Sequence, residues 1–277
     1  MKKTFLTITL ALVCAFSFAQ VGNTQQPSIQ LIRHATLVLN YNGQKILIDP
    51  MLSPKGAFGS IRGERQTPLV DLIIPIEDIT KNLDLVLVTH THIDHFDDAA
   101  KKALDKSIPL FNQPADKEYF KGTDFRNTTT VDNSIVWNGI TITRTYAQHG
   151  TGKVLEQMGD ASGFVFTAPG QPTIYLVGDA VWTEEIYQNI KKYQPDYIVV
   201  NSGGALMPNF DATPIIMDAD QTMSLIQESG KAKVIGVHMD AVDHCLTTRE
   251  VLKKKAKEYN IGSDKLLIPN DGETINL

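Results

Sequence analysis

Leu85-Val86-Leu87-Val88-Thr89-His90-Thr91-His92-Ile93-Asp94-His95 is the stretch that decides the fold. Four apolar β-formers make a buried strand, and the loop after it carries imidazoles at i, i+2 and i+5 and a carboxylate at i+4, counted from His90. Side chains of these types on a rigid strand end converge on one pocket and can seat two adjacent cations. Three of the chain's seven histidines fall within these six positions, so the segment reads as a site and not as a polar turn.

The start of the chain suggests where such a site works. Lys2 and Lys3 precede an apolar stretch over residues 5–16, followed by Ser17-Phe18-Ala19 and the polar Gln20. This layout predicts a secretory leader over residues 1–19, cut after Ala19, and a mature domain over residues 20–277. The apolar run is short for a bilayer span, and no other stretch approaches the roughly 18 uncharged residues that a transmembrane helix needs. A lipid anchor on Cys14 is disfavoured by Val13, where such signals carry a small residue. A periplasmic or secreted product without a stable membrane anchor is expected. Loss of the leader takes the formal charge from −5 to −7 and leaves Cys245 as the only cysteine, so no internal disulfide can form and the core must hold the fold. The acidic balance argues against nucleic acid as a partner. Lys253, Lys254, Lys255 and Lys257 share a terminal helix with Glu250 and Glu258, which reads as a solvated face.

Linkers, repeats and low-complexity tracts are absent from the sequence, and one domain is the economical reading. Strands are expected over residues 28–41, 45–48 (after the hairpin signal Asn42-Gly43), 83–89, 135–146, 163–167, 173–177, 197–201 and 234–238. Helical patterns cover 97–106, 183–193, 218–228 and 247–258, each opening with a capping Asp or Thr. The mixture predicts an α+β fold of sheets flanked by helices, with one sheet or two left open. Three further candidate ligands, His149, Asp179 and His238, each follow a strand, where a scaffold holds side chains rigidly.

With these come Arg33-His34-Ala35-Thr36, Ile46-Leu47-Ile48-Asp49-Pro50, Gly178-Asp179-Ala180-Val181-Trp182 and Val237-His238-Met239-Asp240. On these motifs the chain resembles the metallo-β-lactamase superfamily, and within it the metal-dependent hydrolases that include N-acylphosphatidylethanolamine phospholipase D and ascorbate-phosphate lactonase. The resemblance implies a four-layer αββα sandwich with the metal site at one edge. It also implies His90, His92 and His149 on one metal, Asp94, His95 and His238 on a second, and Asp179 bridging both. Two cations about 3.5–4 Å apart activate a shared water, and Asp94 is the candidate proton acceptor. Five imidazoles and two carboxylates suit Zn best, with Mn and Fe compatible.

Other residues carry weaker expectations. His34 reads as a substrate-side contact or a structural strand histidine, Asp49 as a turn cap beneath the site, and His244 as a pocket residue or, preferred, an exposed loop histidine. Arg62 and Arg65, in the Gly- and Pro-rich segment 53–68, either orient an anionic substrate group or belong to a solvated loop. Asn201-Ser202-Gly203-Gly204-Ala205 reads as a tight turn close to a ligand, and Phe58, Met207 and Phe210 as contacts for a lipid-like tail or as loop anchors. The expectation is an exported dinuclear hydrolase of a small-molecule or lipid-like phosphodiester, lactone or related ester. The alternatives are a mononuclear iron oxygenase of the persulfide dioxygenase type, disfavoured by the complete second ligand set, and a periplasmic metal-binding module without turnover. Oligomeric state is not legible.

Overall fold

A computed structural model describes residues 26–277; the expected leader, residues 1–19, lies outside the described residues. The first half of the chain runs β1 (Ser28–Arg33), β2 (Thr36–Tyr41), β3 (Gln44–Ile48), α1 (Ile76–Thr80), β4 (Leu85–Leu87), α2 (Asp98–Ala103), β5 (Leu110–Asn112), α3 (Lys117–Lys121) and β6 (Thr128–Thr130). The second half runs β7 (Ser134–Trp137), β8 (Ile140–Ala147), α4 (Lys153–Met158), β9 (Ala161–Thr167), β10 (Ile174–Leu176), α5 (Glu184–Tyr193), β11 (Tyr197–Asn201), α6 (Ala219–Glu228), β12 (Lys233–Val237), α7 (Arg249–Glu258) and β13 (Leu266–Leu267). A last strand, β14 (Thr274–Asn276), crosses back to pair with β1.

Among the described residues there are two sheets, ordered β14-β1-β2-β3-β4-β5-β6 and β13-β12-β11-β10-β9-β8-β7. Strand alternation sorts their side chains into layers. Leu85 and Leu87 of β4, Leu37 and Leu39 of β2, Val199 of β11 and Ile235 of β12 share the core between the sheets with Phe164 and Phe166. Their neighbours Val86 and Val38 face outward onto Ile79 and Ala100 of α1 and α2. On the other sheet Ile198 and Val234 face Ile186, Leu225 and Leu252 of α5, α6 and α7. This is the expected αββα sandwich. Each inner leucine or isoleucine contributes about 1.5–3 kcal/mol by burial.

Two expected strands are hairpins instead. Residues 28–41 fold back at His34, whose φ is 62°, so that β1 pairs antiparallel with β2. Residues 135–146 turn at Asn138-Gly139, both with positive φ, giving β7 and β8. The second turn carries the Asn-Gly signal used for residues 42–43, which marks the reversal; the first turns on a histidine and carries no such signal. The helices start close to expectation: Asp97, Thr183, Asp218 and Thr248 accept from backbone N–H groups of the first turn of α2, α5, α6 and α7. Arg33 is fully buried and donates to the carbonyls of Met51, Ser53 and Val70, clamping the long β3–α1 connection under the site; burial lowers its pKa to about 10.

Candidate metal centre and active site

Every candidate ligand sits just past a strand on one edge of the sandwich. The loop after β4 carries His90, His92, Asp94 and His95, ending where Asp97 caps α2 and also accepts from the Ser53 N–H. His149 follows β8, Asp179 follows β10, and His238 follows β12 with a φ of 65°. Left-handed backbone at a non-glycine residue is costly and clusters at functional sites. His34, Asp49, His238 and Asp240 all adopt it here.

The donor atoms form two groups. His90 Nε2 lies 2.9 Å from His92 Nδ1, which lies 3.3 Å from His149 Nε2. In the second group His95 Nε2 is 3.1 Å from His238 Nε2, and Asp94 Oδ2 is 3.6 Å from His238 Nε2. Asp179 faces both: its Oδ2 is 3.2 Å from His95 Nε2, 3.4 Å from His149 Nε2 and 3.8 Å from His90 Nε2, and its Oδ1 is 3.5 Å from His238 Nε2.

The outward nitrogens are fixed by partners that set which nitrogen is bare. His149 Nδ1 donates to the Ile215 carbonyl at 2.8 Å and His95 Nδ1 to Asp49 Oδ2 at 2.8 Å. Thr89 Oγ1 lies 3.1 Å from His90 Nδ1 and passes its own proton to Asp49 Oδ2 at 2.7 Å. Cys245 Sγ lies 3.4 Å from His238 Nδ1. With these outward nitrogens engaged, the inward lone pairs, Nε2 of His90, His95, His149 and His238 and Nδ1 of His92, face one another across about 3 Å, an arrangement that repels unless a proton or a cation lies between them. The donor set therefore fits metal ions.

The charges agree with this. Burial alone raises the Asp179 and Asp94 carboxyls, but the imidazoles around them, His95 foremost, more than reverse that and hold both well below the usual carboxylate range. Burial works against charge on His95, yet Asp179, Asp49 and Asp94 overcome it and raise its pKa well above the ordinary value. His90 and His238 are pushed well below theirs, by burial first and then by neighbouring imidazoles. These nitrogens would hold a cation, and binding one there would be coupled to loss of protons from the imidazoles.

Of the residues named from sequence, His90, His92, Asp94, His95, His149, Asp179 and His238 converge. His34 joins them: fully buried, its Nε2 lies 3.2 Å from Asp94 Oδ2 and its carbonyl accepts from the His238 N–H. Asp49 is more than a turn cap, since its carboxylate receives the Thr89 N–H, the Thr89 hydroxyl and His95. His244 is 4% exposed, contrary to the preferred loop reading, because an Ala205–Cys245 bridge and a Leu206 N–H to His244 carbonyl bond hold its segment down. Arg62 and Arg65 do not reach the centre. Arg62 pairs with Asp211 and Glu64, while the backbone N–H groups of Ile61, Arg62 and Arg65 turn to Asp243.

Sequence reasoning missed Cys245, the Asn201 side chain that donates to Asp179 Oδ1, and Asp243. The Gly203 part of the Gly-Gly turn has a plain cause: a Cβ there would sit 2.2 Å from the His238 carbonyl oxygen and 2.8 Å from Cys245 Sγ. Phe58 and Phe210 are loop anchors, packed with Met51 and Val154; Met207 packs there too but also reaches the site. In front of the two donor groups lies a cavity of about 180 Å³, walled by Ile61, Ile93, Met158, Met207 and Ile215.

Comparison with known proteins gives a consistent picture. The sequence profile of the β-lactamase superfamily domain matches residues 44–239. The protein YddR of Bacillus subtilis is 40% identical over 253 residues, covering 89% of this chain and 98% of that one. The crystal structure of a possible metal-dependent hydrolase from Veillonella parvula is 38% identical with a TM-score of 0.87, covering 91% of this chain and all of that one. The crystal structure of an isothiocyanate hydrolase from Delia radicum gut bacteria is 37% identical with a TM-score of 0.83, over 90% and 98% of the two chains. Fold, donor set and kinship agree, and the chain belongs to the metallo-β-lactamase superfamily as one of its metal-dependent hydrolases.

Proposed function

We propose that the chain is an exported hydrolase whose centre holds two divalent ions, Zn best suited to its five imidazoles and two carboxylates with Mn and Fe compatible, and cleaves a small ester, lactone or phosphodiester. The observation that carries this is the placement of the Asp179 carboxylate between two donor groups, His90, His92 and His149 on one side and Asp94, His95 and His238 on the other. These residues would hold two such ions, which when bound would lower the pKa of a shared water and polarise the oxygen that gains charge. Asp94 lines the cavity and is held by His34 through Oδ2, which leaves its other oxygen to take the proton of the attacking water and return it to the leaving group. Asn201 and the Thr89–Asp49 pair hold Asp179 and His95 in place.

A second reading has its own support. The isothiocyanate hydrolase shares 37% of its residues with this chain, and the same arrangement suits attack on the central carbon of an N=C=S group. The test is metal analysis of the zinc-reconstituted protein together with a panel of bis(p-nitrophenyl) phosphate, γ-butyrolactone, p-nitrophenyl acetate and benzyl isothiocyanate. Two equivalents, turnover of at least one substrate, and a loss of about 10²-fold or more in Asp94→Asn with metal retained are expected. A single equivalent, or hydrolysis of none, overturns the reading. Export is tested by N-terminal sequencing, with Gln20 expected as the first residue.

A further inference from the structure

The substrate side of the centre is built by one dipeptide, Asp243-His244. The Asp243 carboxylate accepts from the Ser60 hydroxyl and from the backbone N–H groups of Ile61, Arg62 and Arg65, so it fixes a loop from more than 170 positions away in sequence over the cavity. That loop delivers Ile61 to the cavity wall. The next residue, His244, lines the same cavity from the opposite end of the chain. Its side chain is buried, its Nδ1 has no hydrogen-bond partner among the described residues, and it belongs to neither donor group. With no protein partner on the ring, a substrate heteroatom in the cavity meets an imidazole that no protein group competes for.

The rest of the wall is Ile61, Ile93, Met158, Met207 and Ile215, so among the described residues, apart from the metal-facing donors, His244 is the single polar group there. The volume of about 180 Å³ lies below the roughly 300–1,000 Å³ of pockets that enclose drug-sized ligands. Arg62 is not among the residues that line this cavity; its guanidinium pairs with Asp211 and Glu64.

We infer that this cavity is a substituent pocket that takes a compact, uncharged apolar group and in which His244 hydrogen-bonds one heteroatom of the substrate. The inference rests on the hydrolase reading for its catalytic arm only. Binding is tested without turnover by calorimetry of phenylacetamide, an uncharged amide with one small ring, on the zinc-loaded protein. Saturable binding is expected in the wild type, weakened about tenfold in His244→Ala, the loss of one hydrogen bond of about 1.4 kcal/mol. His244→Gln should recover most of it, and Met207→Trp, which fills the cavity, should abolish it.

In the catalytic arm, p-nitrophenyl acetate should be turned over with a kcat/KM at least tenfold above that of p-nitrophenyl dodecanoate. His244→Ala should lower the first value about tenfold with both metal equivalents retained. No saturable binding of phenylacetamide to the wild type, or equal binding by wild type and His244→Ala, overturns the pocket even if hydrolysis is observed. His244-dependent binding with no hydrolysis of either ester or of any other member of the four-substrate panel leaves the pocket standing and overturns the hydrolase reading instead.

Discussion

Replacing Asp49 by Asn should cost the centre one metal ion through a change of a single proton's position. Asp49 is 2% exposed, and both its oxygens are engaged: Oδ1 takes the Thr89 N–H at 2.7 Å, and Oδ2 takes the Thr89 hydroxyl at 2.7 Å and His95 Nδ1 at 2.8 Å. An asparagine has two ways to sit there. With its oxygen toward the Thr89 N–H, its NH₂ faces His95 and forces the imidazole into the tautomer that accepts at Nδ1 and carries the proton on Nε2. That nitrogen can then bind no metal. With the amide flipped, two N–H groups confront each other in a buried site, at about 1–3 kcal/mol. Either way the loss should equal the 10–100-fold in metal affinity typical of partners that orient a ligand, about 1.4–2.7 kcal/mol. Competition against a chelator of known affinity reads this directly. The second equivalent, the one served by His95, should dissociate first while the His90, His92 and His149 group keeps its ion. Two equivalents of wild-type affinity in Asp49→Asn would refute the assigned proton positions.

Other outcomes follow from the same geometry. His149→Ala and His238→Ala should each lose a different metal equivalent, and Asp179→Ala should weaken both, read by metal analysis and calorimetry. Arg62→Gln with Arg65→Gln should change KM for bis(p-nitrophenyl) phosphate by less than about twofold, since exposed or committed arginines steer weakly; a large salt-dependent rise would restore them as substrate contacts. The Asp243 carboxyl, raised by burial but lowered further by the donors of the Ser60–Arg65 loop, has a net depressed pKa. Its anchoring contribution is therefore complete above the unfolded carboxylate value of about 3.9 and fades as pH falls through the lower folded value. Hydrogen exchange of the Ile61, Arg62 and Arg65 amides should rise only in that acid window. At neutral pH, Asp243→Asn should expose the loop to trypsin at Arg62 and Arg65.

What could be read from the sequence depended on how far apart the cooperating residues lie. His90 to His95 announce themselves because coordination demands particular side chains within a few positions, and the strand before them is continuous and apolar. His149, Asp179 and His238 were recognisable because each follows a strand. The partners that aim these ligands were not, since a cysteine beside His238 Nδ1 or a carbonyl beside His149 Nδ1 is a product of loop packing with no local signature. The same holds for Asp243, whose four donors come from the other half of the chain. The hairpin at His34 escaped notice because its turn uses a histidine at positive φ where Gly or Asn is the usual signal.

Neither donor group is complete within one sheet. His90 and His92 hang from the β4 loop and need His149 from the opposite sheet; Asp94, His95 and His34 need His238, whose N–H already reaches across to the His34 carbonyl. An ion gripped by both is a cross-link over a span of the chain that is slow to close by diffusion and entropically expensive to hold. Ion capture thus acts as a proof of assembly. A growing chain that has made only β1 to β6 cannot trap either ion, because His149 and His238 come later in the chain.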